Sequence, residues 1–190
     1  MIAMEYFRIT DDINANDRWQ LGEISGDSGP IDASRFTSAE RYDSNEPLSI
    51  RVDEGHSLDF TLADFDVPIV SSFIASILQR QAASEVQLIP VIIKGAKPSD
   101  SEWFILNVLR KVDCLDEARS EFLKWTSKDG RPDKVGKFRM VSKLVIAPSQ
   151  INNSFIFRID GWDVCIVVSG ELRHQCEKAG LNGLVFEKVT

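Results

Sequence analysis

Histidine is nearly absent from this chain: only His56 and His174 occur in 190 residues. Nucleophilic and zinc chemistry usually recruits a base or several imidazoles, so the scarcity excludes most such sites. Cysteine is sparse as well. Cys114, Cys165 and Cys176 are an odd number without C-x-x-C spacing, which argues against a disulfide framework or a zinc site and fits a reducing cytoplasm. No apolar run approaches the roughly 18 residues of a membrane span. The opening MIAMEYFRIT lacks the basic region and long apolar stretch of an export signal, so a cytoplasmic protein is expected. The phosphate loop G-x-x-x-x-G-K-[ST] and the dinucleotide motif G-x-G-x-x-G are missing. Gly26-Asp27-Ser28-Gly29-Pro30 has the glycines but no flanking strand and helix, and reads as a loop. No cofactor is expected.

What is present suffices for an ordinary core. Hydrophobic residues make up 43% and charged residues 27%, and this length is expected to form a single domain over residues 1–190. The net charge of −7 hides an asymmetry. Met1 to Asp66 carries 15 acids against 5 bases, whereas Arg119 to Lys143 carries 8 bases against 3 acids. An acidic surface repels polyanions, which disfavours a nucleic-acid partner. The basic stretch keeps that question open through Trp125 with Lys124 and Lys128, and through Trp162 with Arg158. In an acidic protein these aromatics read first as packing residues.

Tyr6 to Ile9 reads as a strand, Gly22 to Pro47 as a polar surface excursion, and Leu48 to Val52 as a half-buried strand. Leu58, Phe60, Leu62 and Phe65 re-enter the core. Ser71 caps a helix over Ser72 to Ala83, with Phe73, Ile74, Ile77, Leu78 and Gln81 on one face. Val86 to Ile93 is a strand that Pro90 makes bulged or an edge, and Trp103 to Leu109 is another. Phe138 and Met140 with Leu144 to Ile146, then Phe155 to Ile159 and Val164 to Val168, suggest further strands, the last two joined by a turn at Gly161-Trp162. Ser169 caps a short helix to Ala179 with Leu172, Cys176 and Ala179 inward; Gly180 stops it, and Asn182-Gly183 turns into a strand from Leu184 to Val189. The expected class is α+β, a mainly antiparallel sheet with two or three short helices. Its core is expected to include Phe73, Ile74, Ile77, Leu78, Ile105, Phe157, Ile166 and Phe186.

No side-chain constellation reads as catalytic. His56 lies among Asp53, Glu54 and Asp59 in a spacing no metal motif uses, so a solvated turn is the plain reading. His174 points away from its helix's apolar stripe. Cys114 lies beside Asp113 and Asp116, anions that raise a thiol's pKa, the wrong direction for a nucleophile. Cys165 and Cys176 read as small core residues. Asp113, Asp116, Glu117, Glu121 and Arg119 form a dense cluster whose paired carboxylates would support acid–base chemistry if burial split their pKa values. A salt-bridged segment that caps a helix is the simpler account.

The order of segments carries more than any motif. Trp19 follows the first strand, then come Asp59-Phe60, Pro68-Ile69-Val70-Ser71-Ser72 and Val86-Gln87-Leu88-Ile89-Pro90-Val91. The series continues with Phe104-Ile105-Leu106-Asn107-Val108, Val112-Asp113-Cys114-Leu115-Asp116 before Ser120, Ile156-Phe157-Arg158, Val167-Val168-Ser169 and Gly183-Leu184-Val185-Phe186. In this the chain resembles the Imm11 family of bacterial immunity proteins, found beside polymorphic toxin genes, from about Tyr6 to Val189. The resemblance implies a protein that blocks a cognate toxin encoded by an adjacent gene, without catalysis. The acid-rich start then makes Asp53, Glu54, Asp59, Asp64 and Asp66 candidate partner-binding residues, carboxylates that mimic phosphate in a basic toxin cleft. The bland alternative is that they serve solubility. A ligand-binding or regulatory subunit of a larger assembly is the rival function, a carboxylate-dependent enzyme a weaker one, and a homo-oligomer is left open.

Overall fold

The computed structural model describes residues 4–53, 55–95 and 102–190. Its elements run β1 (Tyr6–Asp11), β2 (Leu21–Gly26), β3 (Gly29–Pro30), β4 (Leu48–Val52), β5 (Phe60–Ala63), β6 (Val67–Ser71) and α1 (Ser72–Gln81). They continue with β7 (Val86–Lys94), β8 (Trp103–Val108), β9 (Lys111–Val112), β10 (Glu121–Lys124), β11 (Phe138–Lys143), β12 (Ile156–Ile159), β13 (Trp162–Ser169), α2 (Gly170–Lys178) and β14 (Leu184–Lys188). The structure is mostly sheet, 42% strand, with two helices. One sheet has the order β3-β2-β4-β7-β8-β6-β5, another β14-β1-β13-β12-β9, and β10 and β11 form a separate two-stranded ribbon. Pairing is antiparallel except between β4 and β7 and between β9 and β12.

The seven-stranded sheet curls until β2 and β5 come into contact. Period-two alternation splits its side chains: Ile69, Ile89 and Ile105 line the inside of the curl with Trp19, Phe36 and Trp103, whereas Val70, Leu106 and Val108 face the helices. Trp19 packs against Trp103 with the rings tilted by 59° and their centroids 4.6 Å apart, and it donates its Nε1–H to the buried Thr61 Oγ1 at 2.8 Å, fastening the β5 edge to the start of β2. Pro90 is neither at an edge nor at a bulge, as β7 is the fourth strand and its register with β8 runs unbroken from Val86 to Val91. The proline is tolerated because the β4 pairing begins only at Val91, one residue beyond it.

Gly22 to Pro47 is not a surface excursion. It supplies β2 and β3 and buries Phe36 and Tyr42 completely enough to fill the curl. Side-chain amides substitute for a ladder here: Gln87 accepts from Tyr42 N at 2.9 Å and donates to Tyr42 O at 2.9 Å, and Asn107 Nδ2 donates to Glu40 O at 2.7 Å.

Between the two sheets lies a second core, where Phe7, Ile166 and Val168 meet Ile74, Ile77 and Leu78 of α1 and Leu172 and Cys176 of α2. Ser169 caps α2 by accepting from Leu172 N at 3.2 Å. Ser71 occupies the N-cap of α1, but its hydroxyl donates to Asp59 at 2.7 Å instead. Helix α1 ends at Gln81, two residues early, and Phe73 is 62% exposed. A 100° step from Ile74 turns it off the buried face. Phe186 is half-buried, Ala179 is exposed, and Phe65 stands outside the core at 76% exposure. The β12–β13 turn is Asp160-Gly161, with Trp162 already in the strand. Leu144 and Ile146 are buried beyond the end of β11 rather than in a strand. They join Phe157, Val167, Cys114 and Cys165 in a third core on the outer face of the five-stranded sheet.

Arg158 is fully buried. It leaves β12 toward the curl, where Nη2 donates to Phe36 O at 3.1 Å and Nη1 to Asp163 O at 2.5 Å. Burial pulls it down to about 10, opposed by the Asp163 charge, so it remains a cation at neutral pH. A lysine ammonium lacks the planar fork that reaches two divergent carbonyls. We therefore predict that R158K lowers the urea midpoint, with a loss on the order of 2–4 kcal/mol. An unchanged midpoint would show that the two bonds contribute nothing.

Burial also pushes the thiols of Cys114 and Cys165 up to about 12, Cys114 with help from Asp113, and Cys176 to about 11. Unfolded thiols lose their protons near pH 8.5. The folded chain keeps protons that the unfolded chain releases, so this stabilisation is complete below that pH and is lost as pH rises toward 11–12. The expected outcome is that native protein at pH 8 does not react with an aqueous aromatic disulfide until denaturant is added. The stability difference between the protein and C165A should also narrow toward high pH, and rapid labelling of the native state would refute the burial.

Candidate partner-binding surface

Two short apolar strands, β5 and β6, pair from Phe60↔Val70 to Ala63↔Val67, leaving Asp64-Phe65-Asp66 as a three-residue tip. Burial of Ala63 and Val67 fixes the base of this hairpin, and all three tip residues are exposed. Phe65 has φ 60°, ψ 34°, and Asp66 has φ 61°. Both lie in the left-handed region, which Asp tolerates and which is an outlier for a bulky residue.

Asp66 lines a groove of about 480 Å³ at the junction of the two sheets, together with Asp11, Asp12, Ile13, Val164 and Val185. Ile13 also borders a neighbouring polar basin formed by Asp17, Arg18, Gln20, Asp53 and Gly55. The β1–β2 connection that separates the two hollows is held by Arg18 Nη1 on Asp11 at 2.6 Å, by His56 N donating to Asp17 O at 2.7 Å, and by Trp19 N donating to His56 O at 2.9 Å. Gly55 permits this approach: a Cβ there would lie 2.4 Å from Arg18 O.

The five sequence-derived carboxylates therefore divide. Asp64 and Asp66 flank Phe65 at the tip, and Asp53 is exposed at the adjoining basin. Asp59 is engaged in the fold: Oδ1 accepts from Ser71, Oδ2 accepts from Asn182 N at 3.0 Å, and Asp59 N donates to Asn182 Oδ1 at 2.8 Å. Glu54 lies outside the described residues. Phe65 is exposed, although expected in the core. The signal against that was Asp-Phe-Asp between two four- or five-residue apolar strands, a spacing that makes the phenylalanine a hairpin tip.

The other candidates do not converge. His56 Nδ1 meets Asp17 at 2.7 Å, both 71% exposed, and His174 is on the exposed side of α2. Asp116 accepts from Arg119 Nε at 2.7 Å and from the Ala118 and Arg119 amides, so it caps a turn rather than a helix. The Arg119 guanidinium holds its carboxyl below the usual range, away from general-acid behaviour. Glu117 pairs with Lys124 at 2.6 Å. Among the described residues no three of His, Cys, Asp or Glu gather where a metal ion would sit. No helix among them is long and apolar enough to cross a membrane.

Trp125 is stacked by Arg139 at 4.8 Å and Lys134 at 5.5 Å, rather than by Lys124 or Lys128. Lys124 instead covers Phe138 and Phe122. Trp162 receives Arg8 at 4.9 Å, because Arg158 is committed to the interior. These rings are occupied by the protein's own cations.

No curated protein matches the chain. The profile of the immunity protein family Imm11 matches residues 10–190, a span that includes every strand except most of β1, both helices and the Asp64-Phe65-Asp66 tip. This chain belongs to the Imm11 immunity protein family.

Proposed function

We propose that this protein binds and neutralises a cognate antibacterial toxin by stoichiometric association in the cytoplasm, acting as one domain and without catalysis. The toxin is the product of an adjacent gene. The family match over residues 10–190 carries this reading, and the ion-paired, outward-facing state of the other carboxylate cluster supports it. A partner interface takes about 800 Å² per side, less than a tenth of the 10747 Å² surface.

Within that surface the contact centres on the acidic residues, Asp64 and Asp66 first, with Asp53 and Glu54 at its margin and Asp59 holding its base. An exposed carboxylate keeps its full charge for a basic cleft and raises the encounter rate. Asp59, already satisfied by Ser71 and Asn182, contributes through the shape of the loop rather than by contact.

Two measurements test this. Co-expression with the neighbouring toxin gene should restore viability, and purified toxin should associate several-fold more slowly with the D64N/D66N protein at low salt, the difference shrinking at physiological salt. D53N/E54Q should have a smaller effect. Rates insensitive to both salt and these substitutions would move the interface elsewhere.

A further inference from the structure

Phe65 is the most exposed large apolar side chain of the described residues, at 76%. Its ring belongs to none of the three cores, so it adds little burial to folding. Its backbone nevertheless occupies the left-handed region, next to Asp66 in the same region. Glycine or asparagine would hold such a tip with less strain. Strained positions of this kind persist where the surrounding structure over-determines them, and they cluster at functional sites. Here the over-determination is visible: β5 and β6 are paired on both sides of the tip, Thr61 is bonded to Trp19, and Asp59 is clamped to Asn182.

We infer that Phe65 is the anchor of the toxin interface, an aromatic ring presented on a rigid hairpin tip to an apolar socket rimmed by lysine or arginine on the toxin. This rests on the toxin-binding reading above. The chemistry of the socket follows from what surrounds the ring. Asp64 and Asp66 flank it on the chain, and Asp12 lines the same groove as Asp66, so a partner that receives the ring must bring cations to the rim. Ile13, 71% exposed, with Val164 and Val185 in that groove, supplies an apolar margin. Buried aromatic anchors ringed by polar contacts dominate binding energies at protein interfaces, and an anchor already fixed in its bound geometry loses little entropy on association.

The anchor and the fold pull in opposite directions at this position, and that opposition is the test. F65G, which relieves the left-handed strain, should raise the urea midpoint while weakening the affinity for purified toxin at least tenfold. F65N, whose side chain tolerates the same backbone, should weaken binding comparably without lowering the midpoint, and F65W should retain binding. F73A is the comparison, since Phe73 is a second exposed phenylalanine on an unstrained helix, and it should bind as the unsubstituted protein does. If F65G lowers the midpoint, Phe65 is a packing residue and the inference fails. If F65G and F65N bind toxin undiminished while F73A does not, the interface lies on α1 and the inference fails again. Failure of the unsubstituted protein to bind the toxin overturns the toxin-binding reading itself, a result distinct from either.

Discussion

Taking a guanidinium out of water costs several kcal/mol unless its hydrogens meet acceptors in the interior. Arg158, the one fully buried charged side chain among the described residues, meets that requirement at Nη1 and Nη2 with two backbone carbonyls, while its Nε is left without a partner. One belongs to Phe36, in the segment that fills the curled sheet; the other belongs to Asp163, across the hairpin from Arg158 itself. The cation is thus a joint between the five-stranded sheet and the inside of the seven-stranded one. It constrains everything that packs around Phe36. The ring must lie inside the curl, so Tyr42 lies against it at 5.0 Å, and the Gln87 and Asn107 amides receive the backbone that follows. Glu85 makes the corresponding joint from the other direction, accepting from Phe155 N and Ile156 N at 2.9 and 3.0 Å.

This dependence on distant partners explains which parts of the fold could be read from the sequence. The strand at Val164 to Val168 and the helix starts at Ser71 and Ser169 were legible because an apolar run ended by a serine is a local signal, although Trp162 and Asp163 extend that strand beyond the apolar run. The strand from Leu21 to Gly26 was hidden because its inward residues, Leu21 and Ile24, are separated by polar ones, and its continuation is fixed by side chains 45 and 67 residues away. Apolar identity alone also misled at two phenylalanines. Phe73 adjoins the buried stripe of α1 without belonging to it, and Phe65 follows strand residues whose alternation stops one position before it. The membership of the family was legible in the order of segments, whereas Asp59 and Asp64 look alike in sequence and differ because Ser71 and the distant Asn182 meet Asp59.

Stability and recognition are divided between different parts of the molecule. The three cores are filled by apolar side chains, with most of their few polar groups bonded internally. The thiols belong to these interiors too: burial pushes Cys114, Cys165 and Cys176 up, toward the protonated form. The proposed toxin contact instead needs surface held in fixed shape. The β5–β6 tip meets that need because its strands are bonded into a sheet whose edges are fastened by Trp19, so the exposed residues inherit the rigidity of the core.

Charge distribution decides which part of that surface projects a field. The basic stretch has eight cations, but several are consumed locally: Arg139 pairs with Asp129 at 2.9 Å, Arg131 with Asp133 at 2.9 Å, Lys124 with Glu117 and Arg119 with Asp116. Lys134 lies over Trp125. At the acidic end Asp11 is paired with Arg18, whereas no ion pair within 4.0 Å engages Asp64 or Asp66 among the described residues. Exposed charges act over a Debye length of about 8 Å at physiological salt, so a compensated pair is nearly invisible to an approaching partner while an uncompensated pair of carboxylates is not. The hairpin tip is thus a place where two carboxylates without an ion-pair partner, a strained backbone and an aromatic ring left in water come together.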